Sequence, residues 1–164
     1  MRAEFLVLVV IAIVCLPFAS GENDYAQDGA EFTLQWEVDF GEVYISTQPV
    51  SSDRAIFVRT STSSLSQGVP SVYSLNFAGD ENWRVQNFNS TFQDMAPLEF
   101  VESGIGDCGT WPDMLLVGWS DGLFQALNAN TGAVVWQYQT QINSWGITGQ
   151  MFIESETVTL PTRL

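Results

Sequence analysis

The chain has 164 residues, a formal net charge of −14 and no histidine, and its only cations are five arginines with no lysine. Phosphate binding needs clustered Lys and Arg, so a nucleic-acid partner is disfavoured, and anionic membrane surfaces are disfavoured for the same reason. Without His, neither a Ser-His-Asp nor a Cys-His arrangement can be assembled, and the commonest metal ligand is lost.

Met1–Gly21 reads as a signal peptide. Arg2 supplies a weak basic end, Phe5–Leu16 is an unbroken apolar run, and Ala19-Ser20-Gly21 offers small residues before a cleavage point at Glu22. The run is short for a bilayer span, which needs roughly 20 apolar residues. An uncleaved anchor is the alternative, and only then would the protein sit at a membrane. The expected location is exported, in the secreted fraction or at the cell surface. Cleavage removes Cys15 and leaves Cys108 alone, so no intrachain disulfide can form. Asn89-Ser90-Thr91 is a glycosylation sequon, meaningful only in a host that glycosylates exported proteins.

Residues 22–31 are polar and read as a disordered lead-in. Phe32, Leu34, Trp36, Val38 and Phe40 then alternate with polar residues, which predicts a half-buried strand over Phe32–Phe40. Glu42–Val50 is a second strand, ending near Pro49. Ser51–Arg54 forms a turn, and Ala55–Arg59 is a third strand. Thr60–Pro70 is a Ser/Thr-rich loop. Ser71–Phe77 and Asn82–Gln86 form a hairpin about Ala78-Gly79-Asp80. No segment shows a helical period.

The order then restarts. Asp94–Val101 resembles the strand ending at Val50, with Pro97 placed like Pro49. Glu102–Asp113 is an inserted loop holding Cys108 and Trp111, and Met114–Trp119 matches Ala55–Arg59. Trp119 falls in register with Arg59 and reads as a packing residue. Leu123–Leu127 and Ala133–Tyr138 flank the turn-formers Asn128, Asn130 and Gly132, predicting a second hairpin. A third round begins with Trp145–Ile153, turns at Glu154–Glu156 and continues in Thr157–Leu160.

Trp36, Trp83 and Trp136 each close a four-strand unit and lie 47 and 53 residues apart. Four antiparallel strands at a period near 50 is the pattern of propeller blades, with a β-sandwich as the competing architecture. The fold class is therefore all-β: four-stranded antiparallel propeller blades in an incomplete ring. The expected organisation is a closing strand over 32–40, blades over 42–86 and 94–139, and a partial blade over 145–164. A small propeller needs four or more blades, which makes the chain read as the N-terminal portion of a longer one.

Ala126, Thr131, Gly132 and Trp136, with Asn128 in the place of an Asp and Ala133 in the place of a Lys, resemble the tryptophan-docking motif of quinoprotein-type propellers, the pyrroloquinoline quinone repeat family. Gly79 and Trp83 carry the same motif more weakly, and Trp36 is its outlying counterpart. The resemblance implies that these tryptophans pack between neighbouring blades. It also implies, for the dehydrogenases of that family, adjacent cysteines, a Glu/Asn/Asp calcium set and a catalytic Asp. This chain has one cysteine after cleavage and no carboxylates at calcium-loop spacing. Asp107, Asp113 and Asp121 lie near turns and read as solvated carboxylates.

No catalytic, cofactor or metal residue is therefore assigned. The expectation is an exported, non-catalytic scaffold or binding module that takes a protein or small-ligand partner through loops or blade edges. One alternative is the N-terminal part of a dehydrogenase using pyrroloquinoline quinone with calcium, its active-site blades lying elsewhere. The other is a cell-surface or sensor module. The inserted loop over 102–113, which breaks the repeat, is the candidate partner-binding feature.

Overall fold

The structure, a computed structural model, describes residues 33–62, 68–90, 93–107, 109–141, 146–154 and 157–160. The signal peptide, the lead-in, Phe32, Cys108 and Trp145 lie outside the described residues, as do Thr91 of the sequon and much of the Ser/Thr-rich loop. The chain divides into two units, Met1–Leu34 and Gln35–Leu164, and every described strand belongs to the second.

The first sheet contains β1 (Tyr44–Ile45), β2 (Val50–Ser51), β3 (Ile56–Ser61), β4 (Ser71–Leu75) and β5 (Glu81–Gln86). It runs β1-β3-β4-β5 with β2 also on β3, all antiparallel. The next elements are β6 (Glu99–Val101), the hairpin of β7 (Gly104–Gly106) with β8 (Gly109–Trp111), and then β9 (Met114–Gly118), β10 (Leu123–Asn128) and β11 (Val134–Gln139). The second sheet runs β6-β9-β10-β11, again antiparallel. A last hairpin joins β12 (Phe152–Glu154) to β13 (Thr157–Thr159). No helix occurs among the described residues. Two antiparallel meanders in succession are consecutive blades of a partial β-propeller.

Alternation along β9 explains why the sheets stack. Leu115 and Val117 point to one side, where they meet Phe57, Val72 and Trp83 of the first sheet. Met114 and Leu116 point to the other side and join Phe124, Ala126, Ile147 and Met151. A strand apolar on both faces must be covered on both faces. Each fully buried side chain of this kind contributes about 1.5–3 kcal/mol relative to exposure, before ordering costs.

Three expectations need correction. Residues 33–40 form no strand; Trp36, Val38 and Phe40 instead pack against Val58, Tyr73 and Leu75 on the face of the first sheet. Their alternation is spent on a sheet face, and a ladder requires a sheet edge. Glu42–Val50 is not one strand but two short pieces, β1 and β2, both on β3. Pro49 lacks the N–H a continuous ladder needs. Asp94–Val101 likewise pairs only over its last three residues, because the backbone N–H of Asp94 goes to Ser61 Oγ at 2.9 Å.

Candidate functional site at the seam between the sheets

The hairpin turn of the second sheet is built by Asn128. Its side-chain Oδ1 accepts the N–H groups of Asn130 and Thr131 at 3.0 and 3.1 Å, and its backbone carbonyl accepts that of Gly132 at 2.8 Å. Asn128 N–H in turn donates to Ala133 O at 2.7 Å, and Thr131 Oγ1 accepts the Ala133 N–H at 3.3 Å. Closing the turn puts Gly132 at φ 72°, a conformation that glycine adopts without a Cβ penalty. Asn76 repeats the device in the first sheet, accepting from Ala78 and Asp80 at 2.8 and 2.9 Å, with Gly79 at φ 89°.

An indole covers each turn. Trp83 Nε1 donates to Ala129 O at 3.0 Å, and its ring lies so close over Gly132 that a Cβ there would stand 2.8 Å from Trp83 Cδ2. Trp36 Nε1 donates to Phe77 O at 2.9 Å, and a Cβ on Gly79 would stand 2.9 Å from Trp36 Cδ2. The same three ring atoms approach in the same order at both places. Trp136 is placed differently: it is 39 % exposed and tilts against Phe124 at 5.1 Å between ring centroids. Ala126, the first residue of the motif, is fully buried opposite it in the ladder.

Beside these apolar contacts the seam holds a buried polar cluster. Arg59 on β3 is fully buried and reaches across to the second sheet. Its two terminal nitrogens donate to Ala96 O at 2.8 Å and Gly118 O at 2.5 Å, and Nη2 lies 3.3 Å from Asp94 Oδ1. The guanidinium also sits 4.9 Å from the ring centroid of Trp119. Asp94, equally buried, accepts from Ser120 N at 2.8 Å and from Ser90 Oγ at 2.7 Å. Ser90 Oγ and Ser120 Oγ are 2.6 Å apart. Burial lowers the Arg59 pKa, and the adjacent Asp94 carboxylate works against that shift by pairing with the charge. A guanidinium stays protonated under such a shift, and its planar fork suits two carbonyls and a carboxylate at once.

The turn carboxylates are equally occupied. Asp113 Oδ1 accepts the Ser103 N–H at 2.7 Å, and that bond holds its pKa below the usual 3.8. Asp121 accepts from Leu123 N and Asn87 Nδ2, both at 3.0 Å. Among the described residues no group of three or more His, Cys, Asp or Glu could hold a metal ion. Asp94, Asp113 and Asp121 are spent on the chain's own amides, hydroxyl and guanidinium, so they do not fit a calcium-bound quinone, and no step through one is derived.

Sequence reasoning placed the docking residues but missed Arg59, Asp94, Ser90 and Ser120 as a set. One signal was available. Arg59 is a lone cation at the end of the apolar run Ala55–Val58, where an unpaired buried charge would be prohibitive, so an acidic partner from the neighbouring repeat was required.

No protein-family model matches the chain, and no curated protein matches it. Solved structures do. The crystal structure of quinohemoprotein alcohol dehydrogenase from Comamonas testosteroni matches with a TM-score of 0.50 and 22 % identity, over 70 % of this chain. This chain spans 16 % of that protein's length. At that identity the likeness concerns the fold: the described blades are built as those of a quinoprotein-type propeller.

Proposed function

We propose that this chain supplies blades of an exported, non-catalytic β-propeller, a scaffold or binding module that meets a protein or small-ligand partner through its loops and blade edges. One observation carries the reading. The side chains with the most chemical potential, Arg59, Asp94, Ser90 and Ser120, are buried and bonded to one another across the seam. Buried pairs of this kind specify how two surfaces fit and leave no group to meet a substrate.

Export rests on the sequence of Met1–Gly21. The competing reading, blades of a dehydrogenase that uses pyrroloquinoline quinone and calcium, makes a different prediction. Purified chain is titrated with the quinone and calcium while tryptophan emission and dye reduction on primary alcohols are followed. No saturable binding and no dye reduction are expected. Saturable, calcium-dependent quinone binding with dye reduction would overturn the proposal. Recovery of a mature N-terminus at Glu22 in the exported fraction tests the location.

A further inference from the structure

The insertion that breaks the repeat has a structural result that the packing of the sheets does not require. The first sheet passes from β2 to β3 through four residues, Ser52–Ala55. The second passes from β6 to β9 by way of the β7–β8 hairpin. That hairpin buries little: Ile105 at its middle is 83 % exposed. Its effect is to hold Trp111. The Trp111 ring lies over Gly104, where a Cβ would stand 2.6 Å from Cζ2, and Nε1 donates to Glu102 O at 2.9 Å. The indole is fixed at one face and at its polar end.

Trp111 forms one wall of a cleft of about 260 Å³. Met114, Leu116 and Trp136 of the second sheet line it as well, and Ile153 and Val158 of the last hairpin close a further side. Trp136 is held in turn by Phe124. The hydroxyl of Thr110 is the lining's aliphatic polar group, and no charged residue lines the cleft, in a chain of net charge −14.

We propose that this cleft is a binding site for a neutral, planar aromatic molecule of one or two rings carrying a single polar group. Two restrained indoles offer faces and edges for ring contacts, which add to the gain from burying apolar area. The volume falls just short of the roughly 300 Å³ at which drug-sized ligand clefts begin, which suits a small bicyclic ring rather than a larger cofactor. The surrounding negative field disfavours anions, and a lining without carboxylates gives a cation no partner. Thr110 supplies the hydrogen bond that would orient the one polar group. The site is distinct from the seam cluster and does not depend on how that cluster is read.

The probe is 2-naphthol, with naphthalene-2-sulfonate and tetramethylammonium as the anionic and cationic comparisons. Saturable quenching of tryptophan emission is expected with 2-naphthol, with a dissociation constant below about 1 mM. Methyl NMR shifts should be confined to Val101, Leu116, Ile153 and Val158. Neither charged comparison should saturate in that range. Trp136→Ala removes an exposed wall and should weaken 2-naphthol binding at least about tenfold, while Thr110→Val keeps the shape and should weaken it less. Unsaturated quenching, shifts scattered over the molecule, or equal binding of the sulfonate would overturn the proposal. So would a response that tracks protein concentration, because the cleft would then be an interface between copies of the chain.

Discussion

The ring of Trp83 lies against Gly132, 49 positions further along the chain and in the neighbouring sheet, with its Nε1 bonded to Ala129 O at 3.0 Å. The contact joins the last strand of one blade to the last turn of the next. Because the turn needs a left-handed residue and the ring needs a surface without Cβ, one glycine answers both demands.

Gly132→Ala therefore fails twice. The added methyl meets Trp83 and the backbone stays at φ 72°, so a loss of about 2–4 kcal/mol is expected from overpacking and strain together. Trp83→Phe keeps most of the ring and loses the hydrogen bond, for about 1 kcal/mol. Urea unfolding of the single and double variants measures both, and the double should lose clearly less than the sum.

Across the same seam, Arg59→Met leaves the Asp94 carboxylate buried without its cation. Asp94→Asn leaves the guanidinium with carbonyls alone. Each should cost about 3–5 kcal/mol, whereas replacing both by apolar residues should cost less than the sum of the two. Urea midpoints of the three variants decide this. Additive losses would mean that the pair does not act as one unit.

Gly118 faces the third segment. A Cβ there would stand 2.3 Å from Ile147 Cγ2, well inside contact distance, and the glycine is not needed for its backbone angles. Gly118→Ala should destabilise by about 1–3 kcal/mol through overpacking. Hydrogen exchange should speed up first at Ile147 and Met151. Uniform acceleration over both sheets would contradict this local account.

Asp113 gives an acid-side prediction. Its pKa is lowered by the Ser103 amide, so its contribution to stability is full above the ordinary carboxylate value and is lost as pH falls through the lower folded value. The residue is only partly buried, and solvent screening keeps the effect small. Asp113→Asn should flatten the fall in stability below about pH 4. Urea midpoints across the acid limb and at neutral pH read the difference, and an unchanged acid limb would contradict it.

Much of this fold was legible because its strands are short and bounded by turn-formers. Asn128, Thr131 and Gly132 announce a hairpin through backbone chemistry that is local to the turn, and the spacing of the tryptophans shows that hairpins recur. The segment Phe32–Phe40 was misread because alternation reports only that one side is buried. It does not say whether the burial comes from a ladder or from docking onto a sheet face, as Trp36, Val38 and Phe40 dock. The Arg59–Asp94 pair was hidden for another reason. Its members are 35 positions apart and meet only when two sheets stack, so no local pattern links them. The insertion at Glu102–Asp113 was visible as an irregularity, but the role of Trp111 depends on Gly104 opposite it in the β7–β8 ladder.

The most direct test of successive blades joined by tryptophan docking is the pattern of NMR contacts from the indole rings. Strong nuclear Overhauser effects are expected from the Trp83 ring to the Gly132 α-protons and from the Trp36 ring to those of Gly79. The Trp83 Nε1 proton should be slow to exchange. Contacts from Trp83 confined to its own sheet, with a rapidly exchanging indole proton, would contradict the account.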